Sequence, residues 1–252
     1  MRFAGYGPID RNYGLIALNI FVGEVEFGAV GVNPDANRGE FMAKVLYVEA
    51  SPRKQRSASI EVCEAFLARY RAENPADEIE KLDVWSLDLP AFDGAALDAK
   101  YAGLSGAALT NEQALAWESI RRLAAPFLSA DKMLFAVPLW NFSIPYRLKQ
   151  LIDLISQKDI LFSFDERGLS GLVKAKRALV VYARGLDYFS DTSIVPQKAY
   201  DLQRPYMELW LRFIGVSDIR EIVVEKTLFG PEIDLETRAD GKRRAEELAR
   251  DF

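Results

Sequence analysis

The stretch Met133-Leu-Phe-Ala-Val-Pro-Leu-Trp-Asn-Phe142 contains the most informative residues of this chain. It begins as an apolar run, which is typical of a strand that is covered on both faces of a sheet. Pro138 interrupts the run, and because proline has no amide hydrogen to donate, we expect strand pairing to weaken there. Two aromatic residues around an amide follow, and a helix is expected to start near Pro145. The stretch therefore predicts a strand, a loop at its carboxyl end and a helix.

Strands and helices alternate along the chain on both sides of this stretch. Five runs have the composition or the alternation of strands, at 45–48, 78–83, 132–137, 177–183 and 218–224. Helices are predicted over 57–71, 110–129, 145–155, 205–215 and 235–250, whereas 85–105 is expected to be irregular. This alternation predicts an α/β fold, a doubly wound five-stranded parallel sheet with helices on both faces. The preferred strand order is 2-1-3-4-5, that of flavodoxin-like folds.

The composition limits the possible classes of protein. The chain has 252 residues, half of them hydrophobic, which suits one large globular domain. A net charge of −5 argues against a nucleic-acid partner, and there is no run of about 18 apolar residues that would predict a membrane span. The chain has no histidine, which excludes histidine-dependent hydrolases and histidine-ligated zinc. Cys63 is the only cysteine, so we expect a reducing, cytoplasmic location and a half-buried helical thiol.

Residues 1–41 differ from the rest of the chain. They hold seven of its 16 glycines and show no convincing signal peptide. An ordinary α/β domain is expected to begin at Met42, which gives an atypical N-terminal extension over 1–41 and a functional domain over 42–252. Two hypotheses stay open for the extension: it is an appended arm, or its start codon is misplaced.

In a parallel sheet of this order, ligands bind at the carboxyl ends of the strands, where the strand order reverses. After the first strand, Ser57 is a candidate N-cap, and the amides that follow it suit a phosphate. Hydroxyls of Ser51 and Ser59 would add donors. Positive charge would come from Arg53, Lys54 and Arg56. The alternative is an ordinary capped helix with solvated basic residues.

Two further loops belong to the same edge. After the third strand, the amides of Trp140 and Asn141 and the Asn141 side chain suit the polar edge of a heterocycle, and the aromatic rings suit its face. The alternative is a tight turn with two core aromatic residues. After the fourth strand, Gly185 permits a positive φ or a close backbone approach, and Arg184 would reach a ligand or solvent.

The three loops together match flavin mononucleotide (FMN), which has a phosphate, a ribityl linker and a flat ring system with a polar rim. Neither a Gly-x-Gly-x-x-Gly fingerprint nor a Walker A lysine motif is present. A dinucleotide Rossmann site and a nucleoside triphosphatase are therefore disfavoured.

The chain resembles the FMN-dependent NADH-azoreductases, a flavodoxin-like family of quinone and azo reductases. The resemblance runs from Lys44 to the C-terminus and does not cover 1–41. The motifs that carry it are Ser51-Pro-Arg-x-x-x-Ser57-x-Ser59, Pro138-Leu-Trp-Asn-Phe142, Leu148-Lys149-x-x-x-Asp153 and Ala183-Arg-Gly185. This chain departs from the family pattern where Ala183 replaces a hydroxyl residue and Leu186 replaces a glycine, which changes the fit expected at that edge of the site.

The resemblance implies non-covalent FMN, NADH or NADPH as co-substrate, and ping-pong hydride transfer to a small quinone or azo acceptor. It also implies a homodimer with active sites at the interface. The implied FMN-binding residues are Ser51, Ser57, Ala58, Ser59, Leu139, Trp140, Asn141, Phe142, Ala183, Arg184, Gly185 and Leu186. No protein residue is expected to be catalytic, because the flavin carries the redox chemistry.

Two details and two alternatives stay open. Lys149 and Asp153 are expected to form an ion pair at i and i+4 on the third helix. The aromatic segment 162–168 either shapes the substrate mouth, across the dimer, or packs on its own subunit. The alternatives for the function are an NAD(P)H-dependent FMN reductase, which releases flavin, and a non-enzymatic flavodoxin-like electron carrier.

Overall fold

A computed structural model describes residues 42–105, 108–190 and 200–252 of the chain. The chain divides into two units, Met1–Gly39 and Glu40–Phe252. The described residues all belong to the second unit, and the fold reported below is the fold of that unit. The predicted extension over 1–41 lies outside the described residues.

The main sheet has five parallel strands in the order β2-β1-β3-β6-β7. Their bounds are β1 Lys44–Glu49, β2 Glu78–Asp83, β3 Lys132–Pro138, β6 Arg177–Ala183 and β7 Asp218–Val224. Strands β4 (Phe162–Asp165) and β5 (Gly168–Gly171) form a separate antiparallel hairpin. Because the hairpin lies outside the main sheet, the order of the five sheet strands along the chain is 2-1-3-4-5, as predicted.

Six α-helices connect the strands within the described residues. They are α1 Ala58–Glu73, α2 Gly94–Ser105, α3 Asn111–Ser129, α4 Tyr146–Ile155, α5 Gln203–Ile214 and α6 Pro231–Leu248. Helix α3 starts with a capping box, in which Thr110 and Gln113 exchange hydrogen bonds between side chain and backbone. Gly215 ends α5 with a φ of 114°, a left-handed conformation that glycine adopts without steric cost.

The helices cover both faces of the sheet. Alternate residues of each central strand point to opposite faces, so Val45 and Tyr47 pack with α1 and α6 whereas Leu46 and Val48 pack with α3, α4 and α5. All four side chains are at most 1% exposed. Cys63 lies on α1 and is fully buried rather than half-buried, and burial raises the pKa of its thiol, so the side chain is structural.

Three sequence-based expectations are wrong. Residues 94–105 form helix α2 within the stretch expected to be irregular, and α6 begins at Pro231 rather than at 235. Strand pairing also does not weaken at Pro138, which is opposite Ala183 in the ladder between β3 and β6. The carbonyl of Ala136 accepts a bond from the Ala50 amide, on the β1 side. Residues two apart in a strand point their backbone groups to the same side, so Pro138 faces the β1 side and not β6. Because β1 ends before this point, the missing amide hydrogen of Pro138 breaks no hydrogen bond.

Within the described residues, no helix is both long enough and apolar enough to cross a membrane.

The hairpin is seated on α5 by close contact between two backbones. A Cβ atom on Gly171 would overlap the backbone of Ile214 and Gly215. Phe162 also packs on Phe213 of α5, with ring centroids 4.7 Å apart. The base of the hairpin therefore packs on its own subunit, whereas Phe164, nearer the hairpin turn, is 60% exposed.

We expect Gly171→Ala to lower the free energy of unfolding by about 3 kcal/mol, because backbone atoms cannot move aside as side chains do. Gly94→Ala is the matched control, since nothing lies within 4 Å of its added Cβ. Urea unfolding of both variants measures the difference. Equal stabilities of the two variants would contradict the seating of the hairpin.

Candidate functional site

The carboxyl edge of the sheet brings the three predicted loops together. The Ala50 amide bonds the Ala136 carbonyl, and the Leu139 amide bonds the Ala183 carbonyl at 2.8 Å. These two bonds continue the pairing beyond the ends of β1 and β3, so the loops leave the sheet side by side. The backbone alone therefore sets the spacing of the three loops.

Helix α1 begins at the end of the first loop, with Ser57 as its N-cap, as predicted. The Ser57 side chain accepts a bond from the Ile60 amide, and its hydroxyl lies 3.1 Å from the Ser59 hydroxyl. Ser51, Ser57 and Ser59 are buried, as is Ala58. The amides of Ala58 and Ser59 find no acceptor within the described part of the chain. Two free donors at the positive end of the helix dipole suit an anion.

One of the three basic residues of this loop does not face the helix start. The Lys54 ammonium lies 3.3 Å from Glu49 and 2.5 Å from Asp83. Glu49 is 1% exposed and is also paired with Lys81. The expectation that Lys54 adds positive charge for a phosphate is therefore wrong, because two carboxylates already neutralise it. Arg53 and Arg56 are exposed and make no ion pair among the described residues.

The second loop is a two-residue turn with an unusual backbone. The amides and carbonyls of Trp140 and Ser143 bond each other at 2.9 and 3.0 Å. Asn141 and Phe142, between them, have φ values of 44° and 73°. These are the φ signs of a type I′ turn, in which Asn-Gly is the preferred pair. Asparagine tolerates a left-handed backbone, but phenylalanine is strained there.

The turn leaves one of the two predicted amide donors available. The Trp140 amide is used within the turn, so its expected bond to a heterocycle is wrong. The Asn141 side chain is exposed, and neither it nor the Asn141 amide has a partner among the described residues. The backbone donors that remain at the turn are the amides of Asn141 and Phe142, and the Asn141 side chain adds another donor.

The two aromatic residues of the turn belong to separate clusters. The Trp140 ring lies 5.6 Å from Trp85 and 6.2 Å from Tyr146. The Phe142 ring is 46% exposed and lies 5.0 Å from Tyr200. Because Trp140 packs on other side chains while Phe142 remains half exposed, Phe142 offers the freer ring face. Trp85 is a neighbour that the sequence did not indicate, since it follows the edge strand β2.

The third loop, Ala183–Leu186, is held by the turn that follows β7. The Gly185 and Leu186 carbonyls accept bonds from the amides of Leu228 and Lys226. A Cβ atom on Gly185 would lie 2.6 Å from the end of the Leu228 side chain, which is exposed and can move aside, so no close backbone approach requires the glycine. The alternative of a positive φ does not hold at this position. Ala183 and Leu186 are half-buried.

Arg184 points into the protein, so neither predicted destination of its side chain, ligand or solvent, is correct. Its guanidinium is fully buried and lies 2.8 Å from Asp201 and 3.4 Å from Glu225. Burial raises the pKa of the Glu225 carboxyl, although Arg184 opposes the shift. Any contact of Arg184 with a ligand is confined to its backbone. Sequence reasoning missed Asp201 and Glu225 because both are distant from Arg184 along the chain.

The predicted ion pair on α4 is present. The Lys149 ammonium lies 2.6 and 2.7 Å from the two carboxylate oxygens of Asp153. Both side chains are about half exposed, at 46% and 49%. An exposed pair of this kind stabilises a helix only slightly.

A parallel sheet of order 2-1-3-4-5, with these three loops beside its reversal point, defines a protein of the flavodoxin-like class. The sequence model of the flavodoxin-like fold matches residues 43–249. A Burkholderia lata protein named FMN-dependent NADH:quinone oxidoreductase 9 is 64% identical over 189 residues, which cover 75% of this chain and 90% of the relative. A Pseudomonas fluorescens relative, FMN-dependent NADH:quinone oxidoreductase 3, is 48% identical over 82% of this chain and 96% of its own length.

Solved structures agree with this assignment. An azoreductase from Bacillus anthracis superposes with a TM-score of 0.75 at 29% identity, over 84% of this chain and all of the neighbour. An FMN-dependent NADH-azoreductase from the same species, solved with FMN, has a TM-score of 0.71 at 27% identity, over 82% of this chain and all of its own. The chain therefore belongs to the flavodoxin-like family of FMN-dependent NADH:quinone oxidoreductases and azoreductases.

We expect Phe142→Gly to be more stable than Phe142→Ala by about 1 kcal/mol, because both variants lack the ring and glycine alone relieves the left-handed strain. At an ordinary position the order is reversed, since glycine loses more backbone entropy on folding than alanine. Thermal unfolding shows which of the two variants is more stable. A more stable alanine variant would show that the turn is not strained at Phe142.

Proposed function

We propose that the protein is an FMN-dependent oxidoreductase that transfers hydride from NADH to quinones and azo compounds. The observation that carries the proposal is that α1, the 139–142 turn and the Ala183–Leu186 loop adjoin one another at the reversal point of the sheet. The names of the relatives supply the cofactor, the donor and the acceptor class. FMN, when bound, supplies the hydride transfer in both half-reactions.

The residues present fit FMN. The free amides of Ala58 and Ser59 at the start of α1 would hold the phosphate, with the Ser57 side chain fixing the first turn of the helix. Ser51 and Ser59 line the same loop. Asn141 would donate to the polar rim of the ring system, and donors placed there stabilise the negative charge that reduction brings. The ring would be enclosed by Leu139, Trp140, Phe142 and the backbone of Ala183, Arg184, Gly185 and Leu186.

The chain acts by binding, orientation and exclusion of water. The described residues include no histidine, and the reaction needs no protein acid or base. Leu186, which is half-buried, replaces a glycine of the resembled family and would narrow the far edge of the site. The choice among acceptors would therefore depend in part on this side chain.

A homodimer with active sites at the interface is part of the proposal. The hairpin supports it, because Phe164 and Leu169 are 60% and 56% exposed although they are large and apolar. Exposed apolar side chains on a firmly seated hairpin suit contact with a second subunit. Such a contact would complete the substrate mouth across the dimer.

We further propose that the functional domain comprises 42–252 and that the protein is cytoplasmic. The family match over 43–249 supports the domain bounds, and the single buried cysteine supports the location.

Purified protein should show a flavin spectrum after incubation with FMN and gel filtration. NADH should bleach it without oxygen, and a benzoquinone should restore it. Loss of the flavin on gel filtration, with continued NADH oxidation when FMN is supplied, would favour a flavin reductase. Retained flavin with slow bleaching would favour an electron carrier. No flavin binding at all would refute the proposal.

Asn141→Gly should weaken FMN binding about tenfold, because it removes the side-chain donor and keeps a residue that accepts the left-handed backbone. Cys63→Ala is the control, since the Cys63 thiol is fully buried against the Phe135 carbonyl of β3 and belongs to none of the three loops. Fluorescence titration of FMN into both apoproteins gives the two dissociation constants. Equal constants would contradict the assignment of Asn141.

Phe164→Ser should shift the protein from dimer to monomer in sedimentation experiments, because it removes an exposed apolar side chain from the proposed interface. Leu115→Ser is the matched control, as Leu115 is 69% exposed and belongs to α3 rather than to the hairpin. A wild-type monomer that turns over quinone would refute the interface.

A further inference from the structure

Arg184 has the largest fully buried side chain in the described residues. Besides Asp201 and Glu225, its Nε donates to the side-chain oxygen of Gln203 at 3.2 Å. Its guanidinium also lies 5.4 Å from the ring centre of Tyr188. A buried charge with these partners favours one geometry of the segments that carry them, since any other leaves charges unpaired in the interior.

Three consecutive residues at the start of α5 connect Arg184 to the turn. Asp201 pairs with the guanidinium. The Leu202 amide donates to the Phe142 carbonyl at 2.9 Å. Gln203, fully buried, accepts from Arg184 and donates to the Val137 carbonyl at 3.0 Å. Residues 201–203 therefore make ion pairs or hydrogen bonds with the loop after β6, with the end of β3 and with the strained turn.

We propose that Arg184 is a positioning residue, which through Asp201 and Gln203 holds the 139–142 turn in its left-handed conformation. The inference rests on the proposed function, because it concerns how the two sides of the FMN site are kept in register. The Phe142 carbonyl accepts the bond from the Leu202 amide in the position that the left-handed backbone of Phe142 gives it. Asp201 thus acts on the 139–142 turn through Arg184 and through the neighbouring Leu202 amide.

The variant Asp201→Asn tests the link with little risk to folding. Asparagine has nearly the same shape, keeps an oxygen for the Arg204 amide that Asp201 now binds at 3.2 Å, and leaves Arg184 paired with Glu225. The control is Glu221→Gln, which neutralises the carboxylate paired with Arg204 on the exposed side of the same region. Both variants remove one negative charge, so a general electrostatic effect would be common to them.

The first readout is hydrogen exchange of the Leu202 and Ser143 amides in the apoprotein. Asp201→Asn should accelerate both by about tenfold, which corresponds to a loss of about 1.4 kcal/mol of local stability, and Glu221→Gln should leave both unchanged. Unchanged exchange in Asp201→Asn would overturn the proposal. Because no FMN is used, this outcome is independent of the proposed function.

The second readout is a double-mutant cycle on FMN affinity. Asp201→Asn should raise the dissociation constant about tenfold in the wild-type background and much less with Asn141→Gly, because both changes act on the same turn. Strictly additive effects would overturn the positioning role and leave Asp201 a merely structural residue. If the wild type binds no FMN, the proposed function fails, and the exchange experiment still tests whether Asp201 holds the 139–142 turn.

Discussion

The site depends on the pairing of β1 with β3, two strands separated by more than 80 positions in the sequence. Helix α1, which follows β1, packs on one face of the sheet, and α4, which follows β3, packs on the other. The chain therefore leaves the two strands in opposite directions and opens a crevice at their carboxyl ends. The free amides at the start of α1 and the 139–142 turn both lie at this reversal point, because β1 and β3 are neighbours in the sheet.

The turn itself shows how a fold maintains a conformation that its residues disfavour. Phe142 has a left-handed backbone, which costs on the order of 1–2 kcal/mol for a residue with a Cβ atom. The paired bonds between Trp140 and Ser143, the bond from Leu202 and the Tyr200 ring together fix the conformation. Strain that neighbouring structure stabilises is characteristic of functional sites. A glycine would relieve it but would remove the half-exposed ring, so the strained residue is consistent with a binding role for that ring.

Local sequence patterns predicted the sheet well, and the errors come from a weak local pattern at α2 and from long-range contacts at Arg184. β2, β6 and β7 have the predicted bounds, because buried parallel strands and a polar edge strand each have a characteristic composition. Helix α2 was missed because its sequence begins with glycine after a proline-containing stretch and shows almost no amphipathic pattern. The burial of Arg184 was not predictable either, since an arginine at a strand end is normally solvated and its partners at 201 and 225 come from other elements.

Buried charges support the loops on both sides of the turn. Glu49, at the end of β1, is paired with Lys54 of the first loop, and Arg184, after β6, is paired with Asp201 and Glu225. In each case the charged side chain is buried and paired within the protein. Buried ion pairs contribute little net stability, because desolvation offsets their attraction, but they penalise any rearrangement that separates them. Their value at this edge is therefore geometric: they fix the backbone donors that a flat, anionic cofactor requires, while the side chains that face the crevice remain available to set its polarity and shape.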